Sequence, residues 1–364
     1  MRVQVDKSSI QKAVQQVQNV VSAKNTLPIL SNILIEASKD KLKLVATDLD
    51  IGISCTIKAN IIEEGATTVP AKKFSDIIKE LPNNTVLLTT KKNNSTQIEC
   101  DKCYFKVMGL PKEEFPKLPD LHNKETLLIK QPDLKAMINM TEFAISRDET
   151  RYVLNGILFV IKANSLTLAA TDGRRLAIME KHMSIQSGVE RRMIVPAKTI
   201  HELSRALKDE GDVKLVFSDN QVLFDIDDVM IISRLIEGEF PNYEQVIPKE
   251  NKDKVVINRQ ALLDAARRVS LFTNSDSQAI KIDLVKDRMI ISKNTPDVGE
   301  AKEELDVEYK GPEITVGFNP NYLIDVLRNL RKDAVAMELT SSEKPGVIRT
   351  EDKYTYIVLP MQLS

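Results

Sequence analysis

The stretch AATDGRRLAI, residues 169–178, follows an apolar run, and VATDLDIGI, residues 45–53, repeats its centre. Thr47 and Thr171 lie 124 residues apart, and a further 124 residues reach Thr295 in IISKNTPDVGE. A box that returns at one interval marks an internally repeated chain. Other landmarks return at nearly the same interval, Val69 and Val195 being 126 residues apart. TTVPAKKFSDIIKELP (67–82) returns as RMIVPAKTIHELSRAL (192–207) and, more diverged, as EITVGFNPNYLIDVLRNL (313–330). Phe115-Pro116 returns as Phe240-Pro241, with Pro360 as the third counterpart.

Each copy opens on a helical pattern, over 8–22, 131–146 and 258–272. In the first, Ile10, Val14, Val17 and Val21 share a face, Ser8 or Ser9 suits the N-cap, and Pro132 suits the first turn of the second. A second amphipathic helix follows the Val-Pro-Ala landmark: Phe74, Ile77, Ile78 and Leu81 form its face in copy one, and Leu323, Val326, Leu327 and Leu330 in copy three. Between the helices, 41–45, 86–90 and 166–170 alternate apolar and polar residues. They read as half-buried antiparallel strands, with hairpins at SKDK and KKNN. The expected architecture is α+β: three repeats of helix, strands, helix, strands. About 120 residues per repeat suffice for a core. The expected domains are 1–120, 121–249 and 250–364, with charged or polar boundaries that each follow a proline.

Composition excludes several classes. Among 364 residues, 42% are hydrophobic and 28% charged, as in soluble globular proteins. No apolar run reaches the ~18–20 residues of a membrane span. Asp6 and Lys7 interrupt any signal-peptide core, so a cytoplasmic location is expected. Cys100 and Cys103 bracket Asp101-Lys102, a hairpin turn. Neither Cys55 nor His122, His182 or His201 supplies the second ligand pair a zinc site needs, so no metal is expected. Phosphate-binding, dinucleotide-binding, zincin and serine-hydrolase signatures are missing, and no cofactor is expected.

A catalytic aspartate needs partners placed around it. The box holds Asp48 in copy one and Asp172 in copy two, and it shifts to Asn294-Thr295-Pro296-Asp297 in copy three. Thr-Asp after a strand is turn chemistry, because the carboxylate takes nearby amide protons. Copy two adds Gly173, Arg174, Arg175 and Leu176, which suggests a binding surface. The six helical windows 6–24, 71–82, 131–148, 196–209, 258–274 and 319–333 sum to +6 and the remainder to −7, within a net charge of −1. Basic helices on one face would suit a phosphate backbone.

The stretches TLPILSNILIEA, ATDLDI, GATTVPAKKFSDI, RYVLNGILF, ATDGRRLA, EGEFPNYEQVIP, GFNPNYLIDVL and YIVLPMQL, in this order, resemble the bacterial β sliding clamps, the β subunit of DNA polymerase III. The resemblance covers nearly the whole chain. It implies a ring-shaped homodimer of three clamp domains per chain, with helices lining the hole and antiparallel sheets outside. Such a ring is a processivity factor that encircles duplex DNA without reading sequence. Implied partners are the polymerase III catalytic subunit, an ATP-driven clamp loader, and other polymerases and repair proteins bearing short hydrophobic motifs. The resemblance implies DNA contacts at Lys24, Lys72, Arg147, Asp148 and Tyr152. It implies a partner-peptide cleft of Leu154, Thr171, Gly173, Arg174, Arg175, Leu176, Pro241, Val246, Ile357, Val358, Leu359, Pro360 and Met361. It implies a subunit interface in which Phe105 and Val107 meet Leu271 and Phe272, and Glu300, Glu303 and Glu304 face cations such as Lys73. Asp148, Val153, Leu359 and Gln362 depart from better-known members. Two other functions fit the residues: a three-domain protein scaffold that does not encircle DNA, and an enzyme with its site at Thr171 to Arg175.

Overall fold

A computed structural model describes residues 1–21, 27–119, 125–183, 190–248, 254–274, 277–296 and 298–363. Among these lie the helices α1 (Lys7–Gln18), α2 (Ala71–Glu80), α3 (Gln131–Asn139), α4 (Ala197–Ala206), α5 (Arg259–Ser270) and α6 (Pro320–Asn329). They stand where the periodicity predicts two helices per repeat. One detail differs. The N-cap of α1 is Asp6, not Ser8 or Ser9: its carboxylate accepts from the Ser9 amide at 3.0 Å and from the Ser8 hydroxyl at 2.5 Å. A carboxylate suits the positive end of a helix better than a neutral hydroxyl does. Those bonds, the Ser8 hydroxyl first, hold the Asp6 carboxyl below its ordinary range. The third helix also stops earlier than its apolar pattern, at Asn139. Beyond it the Thr141 hydroxyl bonds back to the Met137 carbonyl at 2.9 Å, and a 3-10 turn, Glu142–Ala144, follows.

The chain divides into two compact units, Met1–Leu134 with Lys198–Leu235, and Lys135–Ala197 with Ile236–Ser364. The first unit holds a five-stranded sheet in the order Asn60–Glu63, Arg2–Asp6, Thr85–Thr90, Ser95–Cys100, Cys103–Met108. It also holds an eight-stranded sheet in the order Glu125–Lys130, Asp212–Phe217, Gln221–Ile226, Val229–Arg234, Ile51–Lys58, Lys41–Thr47, Asn32–Ser38, Gly65–Pro70. The second unit has an eight-stranded sheet in the order Arg191–Pro196, Gly156–Lys162, Ser165–Thr171, Arg175–His182, Tyr354–Val358, Gly346–Arg349, Ala334–Glu338, Lys254–Asn258. A four-stranded sheet there runs Gly299–Asp306, Arg288–Thr295, Ile280–Val285, Ile314–Phe318. Every pairing within these sheets is antiparallel, as the alternation predicts.

Each unit buries helix faces on its sheets. In the first, α1 sinks Ile10, Ala13, Val14 and Val17, and α2 sinks Phe74, Ile77 and Ile78. In the second, α5 buries Leu262, Leu263 and Val269, α6 buries Leu323, Val326 and Leu327, and the two helices lie in contact. Each such side chain contributes about 1.5–3 kcal/mol on burial.

Two joints run through the repeats. Strand Ile51–Lys58 of the first copy pairs with Val229–Arg234 of the second, and Arg175–His182 of the second pairs with Tyr354–Val358 of the third. The copies therefore share main-chain hydrogen bonds instead of standing on separate sheets. An unpaired strand edge is a row of unsatisfied donors and acceptors, and the next copy satisfies it. The expected boundaries at 120/121 and 249/250 fall outside the described residues. The hairpin expectations hold: Lys39, Asn94 and Asp101 turn at φ of 56°, 59° and 52°, and Cys100 and Cys103 are the closing pair of theirs. Both cysteines are free thiols.

Candidate functional site

The box of the second copy is a closed turn. The Thr171 hydroxyl donates to the Arg175 carbonyl at 2.5 Å and accepts from the Gly173 amide at 3.0 Å. One Asp172 carboxylate oxygen accepts from the amides of Arg174 and Arg175 at 2.9 and 3.1 Å. Gly173 sits at φ +86°, a conformation that favours glycine. The first copy repeats this bond for bond. The Thr47 hydroxyl meets the Ile51 carbonyl at 2.9 Å, and Asp48 takes the amides of Asp50 and Ile51 at 3.0 and 2.9 Å. The third copy differs: the Thr295 hydroxyl donates to the Phe272 carbonyl at 2.6 Å and fastens the end of α5. The repeated aspartates are thus engaged in turn geometry.

Arg175 is the most heavily engaged side chain of the box. Its Nε donates to Asp172 at 3.0 Å, its Nη1 to Asp325 of α6 at 2.7 Å, and its Nη2 to the Phe143 carbonyl. The guanidinium lies 4.5 Å from the Tyr322 ring centroid and 5.6 Å from that of Phe143. Burial opposes the charge, but Tyr356, Asp325 and Asp172 outweigh it, and the pKa is raised. With 9% of its side chain exposed, Arg175 holds the turn. Asp325, Phe143 and Tyr322 were invisible to sequence reasoning, since no local spacing links them to the box.

Around this turn the other cleft candidates assemble. Leu176 pairs with Ile357, and Arg175 with Val358, across neighbouring strands. Leu154, Leu176 and Ile357 belong to one buried cluster with Phe240 and Tyr243, whose rings meet edge to face at 6.5 Å. Val358 is fully buried. These four candidates are core, and they form a floor. The surface above it comprises Gly173, Arg174, Pro241, Val246 and Leu359, with Val246 57% and Leu359 43% exposed. The tail is fastened: the Leu359 amide donates to the Arg174 carbonyl at 2.9 Å and the Met361 amide to the Gly317 carbonyl at 2.8 Å. Pro360 lies between them, half-buried. Gly317 has no room for a side chain, because a Cβ there would stand 2.5 Å from the Met361 carbonyl and 2.8 Å from Leu363.

Of the DNA candidates, Lys24 lies outside the described residues, and Lys72 is exposed at the start of α2. Arg147 and Tyr152 are exposed. Asp148 is an N-cap: it accepts from the Thr150 hydroxyl at 2.6 Å and the Thr150 amide at 3.0 Å, and these bonds lower its pKa. Of the interface candidates, Phe105 is 38% and Leu271 77% exposed, Phe272 is half-buried, and Val107 is buried. The acidic run has partners within the chain. Glu303 makes a two-pronged pair with Arg268 at 2.6 and 2.9 Å, and Glu304 meets Arg288 at 2.9 Å. Both carboxylates are paired within the chain, with the neighbouring helix and strand. Glu300 and Lys73 are exposed.

The chain matches three family profiles end to end: DNA polymerase III beta subunit, N-terminal domain over residues 1–119, central domain over 128–242 and C-terminal domain over 244–362. It belongs to the DNA polymerase III beta subunit family. A beta sliding clamp of Pseudomonas putida is 33% identical over 367 residues, covering all of both chains. A DNA polymerase sliding clamp from Bacillus subtilis superposes with a TM-score of 0.95 at 30% identity, again over the full length of each. A sliding clamp from Bartonella birtlesii, solved bound to griselimycin, superposes at 0.94 with 34% identity over all of both chains. The chain is a DNA sliding clamp.

Proposed function

We propose that this sliding clamp works as a head-to-tail homodimeric ring, with domains 1–120, 121–249 and 250–364, that carries no active site. The observation that supports the ring most strongly is the pair of strands at the sheet ends. By register, Val229–Arg234 and Tyr354–Val358 are the counterparts of Cys103–Met108, while Ile51–Lys58 and Arg175–His182 are the counterparts of Gly299–Asp306. Both internal joints pair one strand of each kind. Cys103–Met108 and Gly299–Asp306 are end strands of their sheets. A second copy of the chain supplies the missing partner for each. The joints also give the register. Ile231 faces Ile53 and Tyr356 faces Ala177, so Phe105 of one protomer faces Glu300 of the other. Leu271 and Phe272, at the end of α5, flank this edge.

DNA contact is assigned to Lys72, Arg147 and Tyr152, together with Lys24 and Asp148 from the resemblance. One further set of cations stands at equivalent positions. Leu81, Leu207 and Leu330 each donate an amide to the last turn of α2, α4 and α6, and two residues before them stand Lys79, Arg205 and Arg328, all exposed. The same cation at the same helical position in each copy suits sequence-blind contact with phosphates. The groove beside Gly173, Pro241, Val246 and Leu359 is assigned to hydrophobic motifs of the polymerase III catalytic subunit, an ATP-driven clamp loader and other DNA-processing proteins, and to griselimycin. The engagement of Asp48 and Asp172 by backbone amides supports a binding role over an enzymatic one. A cytoplasmic, nucleoid-associated location suits a clamp on DNA.

The test is topological. The protein is loaded on nicked circular DNA with a clamp loader, and the DNA is then linearised. Retention on the circle and loss from the line is the expected result. Equal retention on both would refute encirclement. Leu271→Ala with Phe272→Ala should give monomers in sedimentation at micromolar concentration.

A further inference from the structure

The box occurs in two near-identical settings, and only one of them borders the groove. Register fixes the correspondence. Gly52 stands for Leu176, since each lies opposite its box threonine, and Ile232 stands for Ile357, since each pairs with that residue. The Arg234 amide donates to the Asp50 carbonyl at 2.8 Å, as the Leu359 amide does to the Arg174 carbonyl at 2.9 Å, so Pro360 stands for Leu235 and not, as the sequence suggests, for Pro116 and Pro241. Phe115-Pro116 and Leu118 answer to Phe240-Pro241 and Tyr243. The first copy therefore has the frame of a second groove.

Its interior is different. Where the second copy has the Leu176 side chain, the first has only the hydrogen of Gly52, and Leu118 fills the space. A Cβ at Gly52 would stand 2.4 Å from Leu118 Cδ2 and 3.2 Å from Ile232 Cγ2. Leu118 packs at once against the cluster of Ile29, Leu30, Val45 and Phe115 and against Val216 and Ile232. At the lip, Leu49 occupies the place of Gly173, at φ +81° and 47% exposed. A leucine in that backbone conformation is strained, and a leucine this exposed leaves apolar surface at the mouth.

We propose that Leu118 is an internal plug, an autoinhibitory contact that closes the first-copy counterpart of the partner groove. The chain's own segment up to Leu118 is the occupant, and each chain consequently offers one groove for hydrophobic ligands instead of two. The inference rests on the groove assignment made above.

Two measurements test it. The first needs no ligand. Gly52→Ala should lower the urea midpoint by driving Leu118 out, and Leu118→Ala in the same chain should restore part of the loss. Additive losses would overturn the plug. The second is calorimetric titration of the dimer with griselimycin. Wild type should take one per chain, Leu118→Ala two with the second weaker, and Leu118→Ala with Leu49→Glu one again. A folded Leu118→Ala dimer that still takes one, or a wild type that takes two, would overturn the proposal. A wild type that takes none, with the Gly52 rescue intact, would fault the groove assignment itself, and the plug would fall with it.

Discussion

Replacing Arg175 by methionine keeps the stem of the side chain and removes the guanidinium. Three hydrogen bonds disappear, to Asp172, to Asp325 and to the Phe143 carbonyl, together with the stacking on Tyr322. A hydrogen bond to a charged group contributes about 1.5–3 kcal/mol, and a cation over a ring about 0.5–2 kcal/mol. The carboxylates left behind are not sealed: the side chains of Asp172 and Asp325 are 18% and 30% exposed, so water recovers part of the loss. A net cost of about 3 kcal/mol follows, at the low end of the range for breaking a buried pair. The loss is local to the Thr-Asp-Gly turn, so amide hydrogen exchange is the appropriate assay. The amides of Arg174 and Arg175, both bonded to Asp172, should lose about 100-fold in protection, since 1.4 kcal/mol is roughly tenfold. Asp325→Asn should lose less, and the double variant should show a coupling of about 1–3 kcal/mol. Griselimycin affinity should fall in parallel, because the Arg174 carbonyl anchors the tail that borders the groove. If protection at both amides changes less than threefold, Arg175 does not hold the turn and the reasoning fails.

Three further outcomes are expected. Alanine at Lys79, Arg205 or Arg328 should each reduce the salt slope of DNA association by roughly 0.9 without altering sequence preference; an unchanged slope in all three removes them from the DNA face. Burial, then the charge of Asp228, pushes the Cys55 thiol up to about 11, so roughly one thiol in a thousand is ionised at pH 8. Iodoacetamide should accordingly modify half-buried Cys103 well before Cys55, and the Cys55 rate should rise nearly tenfold for each pH unit up to 10. The depressed Asp6 carboxyl stabilises the start of α1 at pH above the ordinary aspartate value, and that contribution is lost as pH falls through its lowered native pKa. NMR titration should give a midpoint below the ordinary value of about 3.9, with the Ser9 amide signal moving in step.

Repeats, helices and hairpins were legible because their signals are local. The apolar spacing of Phe74, Ile77, Ile78 and Leu81 needs only one turn of helix to be read, and the hairpins need only a residue that tolerates positive φ, such as Asp101. The turn role of Asp172 was legible for the same reason. What connects distant residues was not. Nothing within reach of Arg175 in sequence points to Asp325, 150 residues on, or to the Phe143 carbonyl. Nor does a sequence reveal that Arg268 and Arg288 stand opposite Glu303 and Glu304. The cap of α1 was misread by two or three residues, since Asp6, Ser8 and Ser9 are all good capping types and only geometry chooses among them. The continuous sheets escaped notice because alternation marks a strand without naming its neighbour.

The two end strands carry a consequence for how the protein behaves at high concentration. If each edge pairs with the other kind on a second copy, as proposed, copies add head to tail, and nothing in the edges alone says when to stop. Rotation per added copy decides between a closed set and an endless filament. Closure here substitutes for the usual guards of an exposed edge, such as proline, bulges or a covering helix. A substitution that changes the twist where Ile51–Lys58 meets Val229–Arg234 would leave every contact surface intact and still spoil the closing angle. Such a variant would be expressed, folded and able to bind its own kind, and it would come out of solution as fibres.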